Sequence, residues 1–297
     1  MPDVNLYDEE FHPSPWQSTW REFKQSHIAL VGLTTLSIFV VLAILGPLVT
    51  PYAPDLQNTT ALLLPPAWHD NGSVLHLLGT DVLGRDMLSR IFYGIQVTLG
   101  GAVGAVLFAL FIGTAFGAIA GMTSGVRSSI LNHVLDIFMV IPSLLIAIII
   151  VAILGVGLSN AVLAIGLALI PRFVHATRNF IKEEFGKDYI KTARLDGASS
   201  VQIYFKNILP NMIDVIIVQG TLAISVAILD IAALGFLNLG AQTLLPELGV
   251  MISEGLATAY IAPWNILLPG LSIFLMVISI NVVGDGLRSA LRNRMSH

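Results

Sequence analysis

Ala193-Arg194-Leu195-Asp196-Gly197-Ala198-Ser199, followed shortly by Ile208-Leu209-Pro210, is a polar, basic, glycine-broken segment set between two strongly apolar ones. A membrane chain that keeps such a loop near its middle, and has no nucleotide-binding motif of its own, is suited to docking on a cytoplasmic partner that supplies energy. That combination points to one subunit of a transport assembly.

The composition fits a membrane setting. Of 297 residues, 55% are hydrophobic and 11% charged, with a mean hydropathy of +0.81, whereas about a quarter of a soluble chain is charged. The formal charge of −4 says little about partners, because charge placement orients a membrane protein. Cysteine is absent, which excludes a disulfide framework, a thiol nucleophile and a thiolate metal site. Near the N-terminus, Asp3, Asp8, Glu9, Glu10 and Glu22 stand against Arg21 and Lys24, unlike the basic start of a cleaved signal. Ile28–Thr50 then runs uncharged for 23 residues, long enough to span.

Four further apolar regions follow: Val97–Gly121, Val134–Ile170, Ile213–Leu237 and Ile266–Leu287. As one helix, the 37 residues of Val134–Ile170 would reach roughly 55 Å against a hydrocarbon core of about 30 Å. Gly155-Val156-Gly157-Leu158-Ser159-Asn160 supplies a turn. Six spans are therefore expected, at about 28–50, 97–121, 134–154, 158–178, 213–237 and 266–287. The N-terminal segment 1–27 is then cytoplasmic, 51–96 is extracytoplasmic, and 179–212 is the docking loop. This arrangement leaves thirteen lysines and arginines inside and two outside, in keeping with positive-inside orientation. A five-span arrangement with the N-terminus outside gives twelve against three, so length rather than charge decides. The fourth span runs into Pro171, Arg172, His175 and Arg178, whose basic side chains are expected to snorkel to the cytoplasmic interface. Asn238–Asn265 lies outside and carries Glu247 and Glu254 but no Lys or Arg.

Within the docking loop, Val174 to Leu195 can continue as a helix, Gly197 breaks it, and Ser199 or Ser200 can cap a second short helix ending at Pro210. Two helices joined by a glycine elbow form a knob, with Leu195, Val201, Ile203, Tyr204 and Phe205 available to a groove on another protein. The alternative is an ordinary amphipathic pair lying at the interface.

The run Tyr189-Ile190-Lys191-Thr192-Ala193-Arg194-Leu195-Asp196-Gly197-Ala198-Ser199, with Ile208-Leu209-Pro210-Asn211, resembles the coupling loop of permease subunits in binding-protein-dependent ABC importers. Lys191 and Thr192 stand where many members have Glu and Ala. Leu78-Gly79-Thr80-Asp81, Gly84-Arg85-Asp86 and Ser89-Arg90 resemble the segment before the second span of dipeptide, oligopeptide and nickel permeases, and Asn281-Val282-Val283-Gly284-Asp285-Gly286-Leu287-Arg288 resembles their ending. Leu131-Asn132-His133, Asp136, Ile141-Pro142-Ser143-Leu144-Leu145 and Ala227 to Phe236 are similar to the Sap-type branch, associated with antimicrobial-peptide resistance and putrescine export.

The resemblance implies an all-α permease domain over 28–297 of the methionine-permease-like (MetI-like) type, with six spans, in a bacterial inner membrane, both termini cytoplasmic. It implies a homologous second permease, two cytoplasmic ATPase subunits and a periplasmic solute-binding protein as partners, with lipid around the chain and no nucleic acid. ATP and Mg would sit on the ATPases, and this chain would hold no cofactor and carry no catalytic residue. Coupling is expected to fall on Ala193, Arg194, Leu195, Asp196, Gly197, Ala198, Ser199, Val201, Tyr204, Leu209 and Pro210. The substrate implied is a peptide, including cationic antimicrobial peptides, or a polyamine.

Asp230 lies within the fifth span, where an ionised carboxylate is costly unless it meets water or a partner. It reads either as a pathway group favouring cations or as a structural acid bonded to a neighbouring helix. Gly113, Gly117 and Gly121 allow close helix approach, either within the chain or to a second permease. His69, His76, His133 and His175 show no metal-ligand spacing. Gly186-Lys187 lacks the glycines of a phosphate loop. Two rivals remain open: an ion-driven secondary transporter, although no repeat relates the halves, and an intramembrane aspartyl enzyme using Asp136, Asp230 or Asp285.

Overall fold

In the computed structural model, which describes residues 15–123, 133, 135–242 and 245–296, the chain is helical apart from loops and a single Thr80–Asp86 bridge. Asp3, Asp8, Glu9, Glu10, Leu131, Asn132 and Val134 lie outside the described residues. A short helix α1 (Pro15–Gln25) precedes α2 (His27–Val49), whose N-cap Ser26 accepts a hydrogen bond from the Ala29 N–H at 3.3 Å. α2 matches the expected first span. Ile28, Val31, Ile38, Val41 and Ile44 stay exposed on it, as suits a face turned to lipid.

The second helix is ten residues longer at its start than the span predicted from Val97. α3 covers Met87–Met122, because Asp86 caps it, accepting from the Ser89 N–H at 2.8 Å. α4 (Ser143–Leu154) and α5 (Leu158–Phe185) are separated where the glycines predict: Gly155 and Gly157 have φ of 92° and 145°, and Asn160 Nδ2 donates to the Leu154 and Gly155 carbonyls at 3.1 and 3.0 Å. The expected continuous span 134–154 is interrupted at 141–142, between helical residues 135–140 and α4. Pro142 has no N–H to carry a helix through, and the residue before a proline is pushed out of helical conformation.

α5 continues past residue 178 to Phe185, so Arg178 does not snorkel: packed among its neighbours, it is buried. The helix expected to run on to Leu195 instead stops at Gly186 and restarts as α6 (Asp188–Leu195). α7 (Ser200–Ile203), a π-turn (Tyr204–Ile208) and α8 (Leu209–Phe236) then form one continuous helical run. The short helix expected to end at Pro210 therefore does not end there. In the π-turn the Leu209 N–H bonds to the Tyr204 carbonyl, and Pro210 follows directly within the continuous run. α9 (Leu248–Gly255), a 3₁₀ turn (Leu256–Thr258) and α10 (Trp264–Ser296) complete the order.

Among the described residues, five helical stretches are long and apolar enough to cross a membrane: His27–Val49, Met87–Met122, Leu158–Phe185, Ser200–Phe236 and Trp264–Asn293. Their core is built around α3, which packs most extensively on α5. Gly113, Gly117 and Gly121 all face α5, so their use is internal packing. A Cβ on Gly117 would lie 2.7 Å from Thr177 Cβ and 2.8 Å from the Val174 carbonyl oxygen. Gly117→Val is therefore expected to destabilise the chain by about 1–3 kcal/mol. Thermal unfolding in detergent checks this, and an unchanged midpoint would count against so close an approach.

Candidate functional site

The elbow at Gly197 is built by local rules. The Ala198 N–H bonds to the Ala193 carbonyl and the Gly197 N–H to the Arg194 carbonyl, both at 3.0 Å, the paired bonds of a Schellman motif closing α6. That motif needs a left-handed residue, and Gly197 has φ of 83°. Two residues on, Ser199 starts α7 with a capping box: its hydroxyl accepts from the Gln202 N–H, and Gln202 Oε1 accepts from the Ser199 N–H at 3.0 Å.

Beneath the elbow, Ile181, Ile190, Ile203, Ile208 and Met212 form a separate buried cluster with Ala118, and Ala193, Ala198, Tyr204 and Leu209 pack against it. Glu184, buried beside this cluster, accepts from Lys187 and Tyr189. Desolvation of the Tyr189 phenol, followed by its bond to Glu184, pushes its pKa up from the ordinary value. The Arg194 guanidinium lies 4.6 Å from the Phe185 ring centroid. The knob is thus a packed unit. Leu195, Val201 and Phe205 project from it at 88%, 59% and 60% exposure. Ile203, expected on the docking face, is buried, and Tyr204 is half-buried. Asp196 caps α6, and Pro210 is exposed at the start of α8.

Between α2 and α3, the motif around Gly79 and Gly84 folds into a buried charged network. Thr80 Oγ1 accepts from the Leu64 N–H at 2.8 Å. Gly79 and Gly84 take φ of 81° and 72°. Asp86 caps α3 and meets His76 Nδ1 at 2.9 Å. Asp81 accepts from Arg85 Nε at 2.6 Å and from Arg90, and both arginines donate to Glu254 Oε2 at 2.8 Å. Glu254 was visible in the sequence only as an acid in an outer loop. Glu247, fully buried, caps α9 through the Gly249 and Val250 N–H groups at 2.9 and 3.0 Å and accepts from Thr98 at 3.0 Å.

Asp230 is 7% exposed, and its Oδ2 accepts from Ser143 Oγ at 2.8 Å. It lines a cavity of about 330 Å³ together with Pro142, Pro171 and Arg172. Arg172 was expected at the cytoplasmic interface, away from Asp230. It lines this cavity, and α5 runs on beyond it for 13 further residues, to Phe185. The three aspartates do not converge: Asp136 lies 3.8 Å from His175, and Asp285 lines a different cavity with Glu22. In the C-terminal motif, Asn281 Oδ1 accepts from Ser225 at 2.9 Å, Gly284 lets Thr221 approach, and Arg288 is exposed. These residues hold α10 against α8.

Residues 113–297 match the family described as binding-protein-dependent transport system inner membrane component, and residues 14–66 match the N-terminal TM domain of oligopeptide transport permease C. The peptide transport system permease protein SapC of Escherichia coli O6:H1 is 45% identical over 291 residues, covering 98% of each chain. The dipeptide transport system permease protein DppC of Haemophilus influenzae is 44% identical over 278 residues, covering 94% of each. Among solved structures, the inward-facing MetNI methionine ABC transporter aligns with a TM-score of 0.56 at 21% identity, covering 69% of this chain and 97% of that one. That likeness carries the fold, a MetI-like permease bundle. Matched over more than half its length by one family, and along nearly all of it by curated permeases, the chain belongs to the binding-protein-dependent transport system inner membrane components: a multi-pass permease subunit of an ABC transporter and not an enzyme.

Proposed function

We propose that this chain forms half of the transmembrane path of an ATP-driven peptide transporter, paired with a second, homologous permease. One of two ATPase subunits docks at the knob Arg194–Leu209 and the other on the paired permease, and a solute-binding protein delivers substrate at the outer face. The observation that carries this reading is the knob itself, a buried apolar cluster presenting Leu195, Val201 and Phe205 outward around a glycine elbow. Large apolar side chains fixed on a packed base are what a groove on another protein recognises. Closure of the ATPase dimer moves this unit, and rigid-body rocking of the helices switches access.

The six-crossing arrangement belongs to the same reading. Residues 135–140 and Ser143–Leu154 would together rise roughly 27 Å, close to a hydrocarbon core of about 30 Å. They supply the remaining crossing and leave both termini and the knob cytoplasmic. Peptide as substrate is supported by permeases of peptide systems to which the chain is similar along nearly its whole length.

Affinity purification from native membranes in mild detergent, with mass spectrometry and an ATPase assay of the eluate, tests the assembly. A homologous permease and ATPase subunits should co-purify and be lost on Leu195→Asp. Recovery of the chain alone, active in vesicles without ATP, would overturn the reading in favour of ion-driven transport.

A further inference from the structure

Arg172 is a half-buried guanidinium within a membrane-spanning helix, and it makes no hydrogen bond or contact ion pair to the described residues. Such a charge is costly inside a bilayer and, as a rule, faces water, a partner or a ligand. Its cavity also holds Asp230, close enough for the two charges to act on each other through space, yet no ion pair joins them. One carboxylate oxygen of Asp230 is held by Ser143, and the other has no hydrogen bond to the described residues. Two opposite charges therefore line one cavity with a gap between them.

The backbone around them is interrupted on two sides. Pro142 separates residues 135–140 from α4, and Pro171 lies inside α5. α4 begins without a side-chain cap, so its first N–H groups, at the positive end of a 12-residue helix, are not taken up by one. Irregular backbone at membrane depth is tolerated where it lines a polar cavity, and interrupted helices in transporters mark substrate sites. The volume of about 330 Å³ falls in the range of roughly 300–1,000 Å³ typical of small-ligand pockets.

We propose that this cavity is a subsite for the zwitterionic form of a short peptide, the Asp230 carboxylate taking its ammonium end and the Arg172 guanidinium its carboxylate end. The inference rests on the peptide reading above and adds the feature recognised: two free termini of opposite charge. A diamine of similar length would place a second positive charge beside Arg172 and be repelled. A peptide blocked at either end would leave one buried charge unanswered, which is how a polar site rejects an analogue lacking one group. Asp230 and Arg172 act here as specificity-determining residues.

The chain contains no cysteine, so Met139→Cys, on the cavity lining, gives this subunit a unique label. The complete transporter with its permease partner and ATPases, in lipid nanodiscs, is treated with a maleimide, and alkylation is read on this chain by mass. Alanyl-alanine at about ten times its Kd should slow alkylation about tenfold, whereas its N-acetyl form, its C-terminal amide and 1,4-diaminobutane should leave the rate unchanged. Arg172→Gln and Asp230→Asn, each combined with Met139→Cys, should remove the protection. An unreactive cysteine, no protection by alanyl-alanine, or equal protection by the blocked forms overturns the subsite. Uptake by the unaltered transporter, supplied with its solute-binding protein, is measured alongside: protection without uptake overturns the peptide-transport reading and keeps the subsite, while uptake without protection does the reverse.

Discussion

Arg90→Ala is expected to destabilise the folded chain by about 3–5 kcal/mol. Arg90 is 2% exposed and bridges Asp81 and Glu254. With Arg85 the four side chains sum to no net charge, and Asp81, Arg85 and Arg90 are all buried. Removing one arginine leaves a net negative charge in a site that has lost most of its water, and that uncompensated charge, rather than the lost attraction, sets the magnitude. The Glu254 side chain retains 23% exposure, so the lower end of the range is expected. Arg90→Lys should recover only part of the loss, because an ammonium cannot present two donors in a fixed fork to both carboxylates. Glu254→Gln combined with Arg90→Ala should cost less than the sum of the two single changes. Unfolding in detergent, by heat or denaturant, measures the four variants against the wild type. Wild-type stability for Arg90→Ala would mean that the network positions the loop between α2 and α3 without holding it.

That network marks where sequence reasoning ends. Gly79-Thr80-Asp81 and Gly84-Arg85-Asp86 were visible as a motif, but Glu254 lies 164 residues beyond Arg90, and no local pattern links them. The break at Gly155–Gly157, the elbow at Gly197 and the cap at Ser199 were legible because each follows from the chemistry of residues within a few positions. The interruption at Pro142 was overlooked because hydropathy counts apolar side chains, and a proline in an apolar run lowers that count little while removing a backbone donor. Ile203 was grouped with Val201 and Phe205 because all three are apolar; at 3.6 residues per turn Val201 and Phe205 share one face and Ile203 lies on the opposite one, where it is buried. A basic residue after an apolar run, such as Arg172, reads as the end of a span, whereas the helix itself continues to Phe185.

The same distinction between buried and exposed knob residues yields the second large effect. Leu195→Asp and Phe205→Asp put a charge on side chains that touch little of their own chain, so the fold should tolerate them. A docking partner should not: loss of a buried apolar anchor weakens an interface by about 2 kcal/mol or more, roughly 30-fold in affinity. Transport in reconstituted vesicles should fall accordingly, and the ATPase subunits should be lost on purification. Ile203→Ala, at a fully buried site, is expected to act through the fold instead, lowering the unfolding midpoint by an amount matching about 2–5 kcal/mol. Gly197→Val separates docking from coupling. A Cβ there meets nothing within 4 Å, so the substitution clashes with no neighbour. Its cost lies in holding a β-branched residue at positive φ, roughly 1–2 kcal/mol or more, which relaxation of the elbow relieves by re-aiming α6 against α7. The ATPases should still co-purify and hydrolyse ATP, while the number of substrate molecules moved per ATP falls several-fold. An unchanged ratio, with docking intact, would mean that the elbow holds the knob's shape but carries none of the stroke.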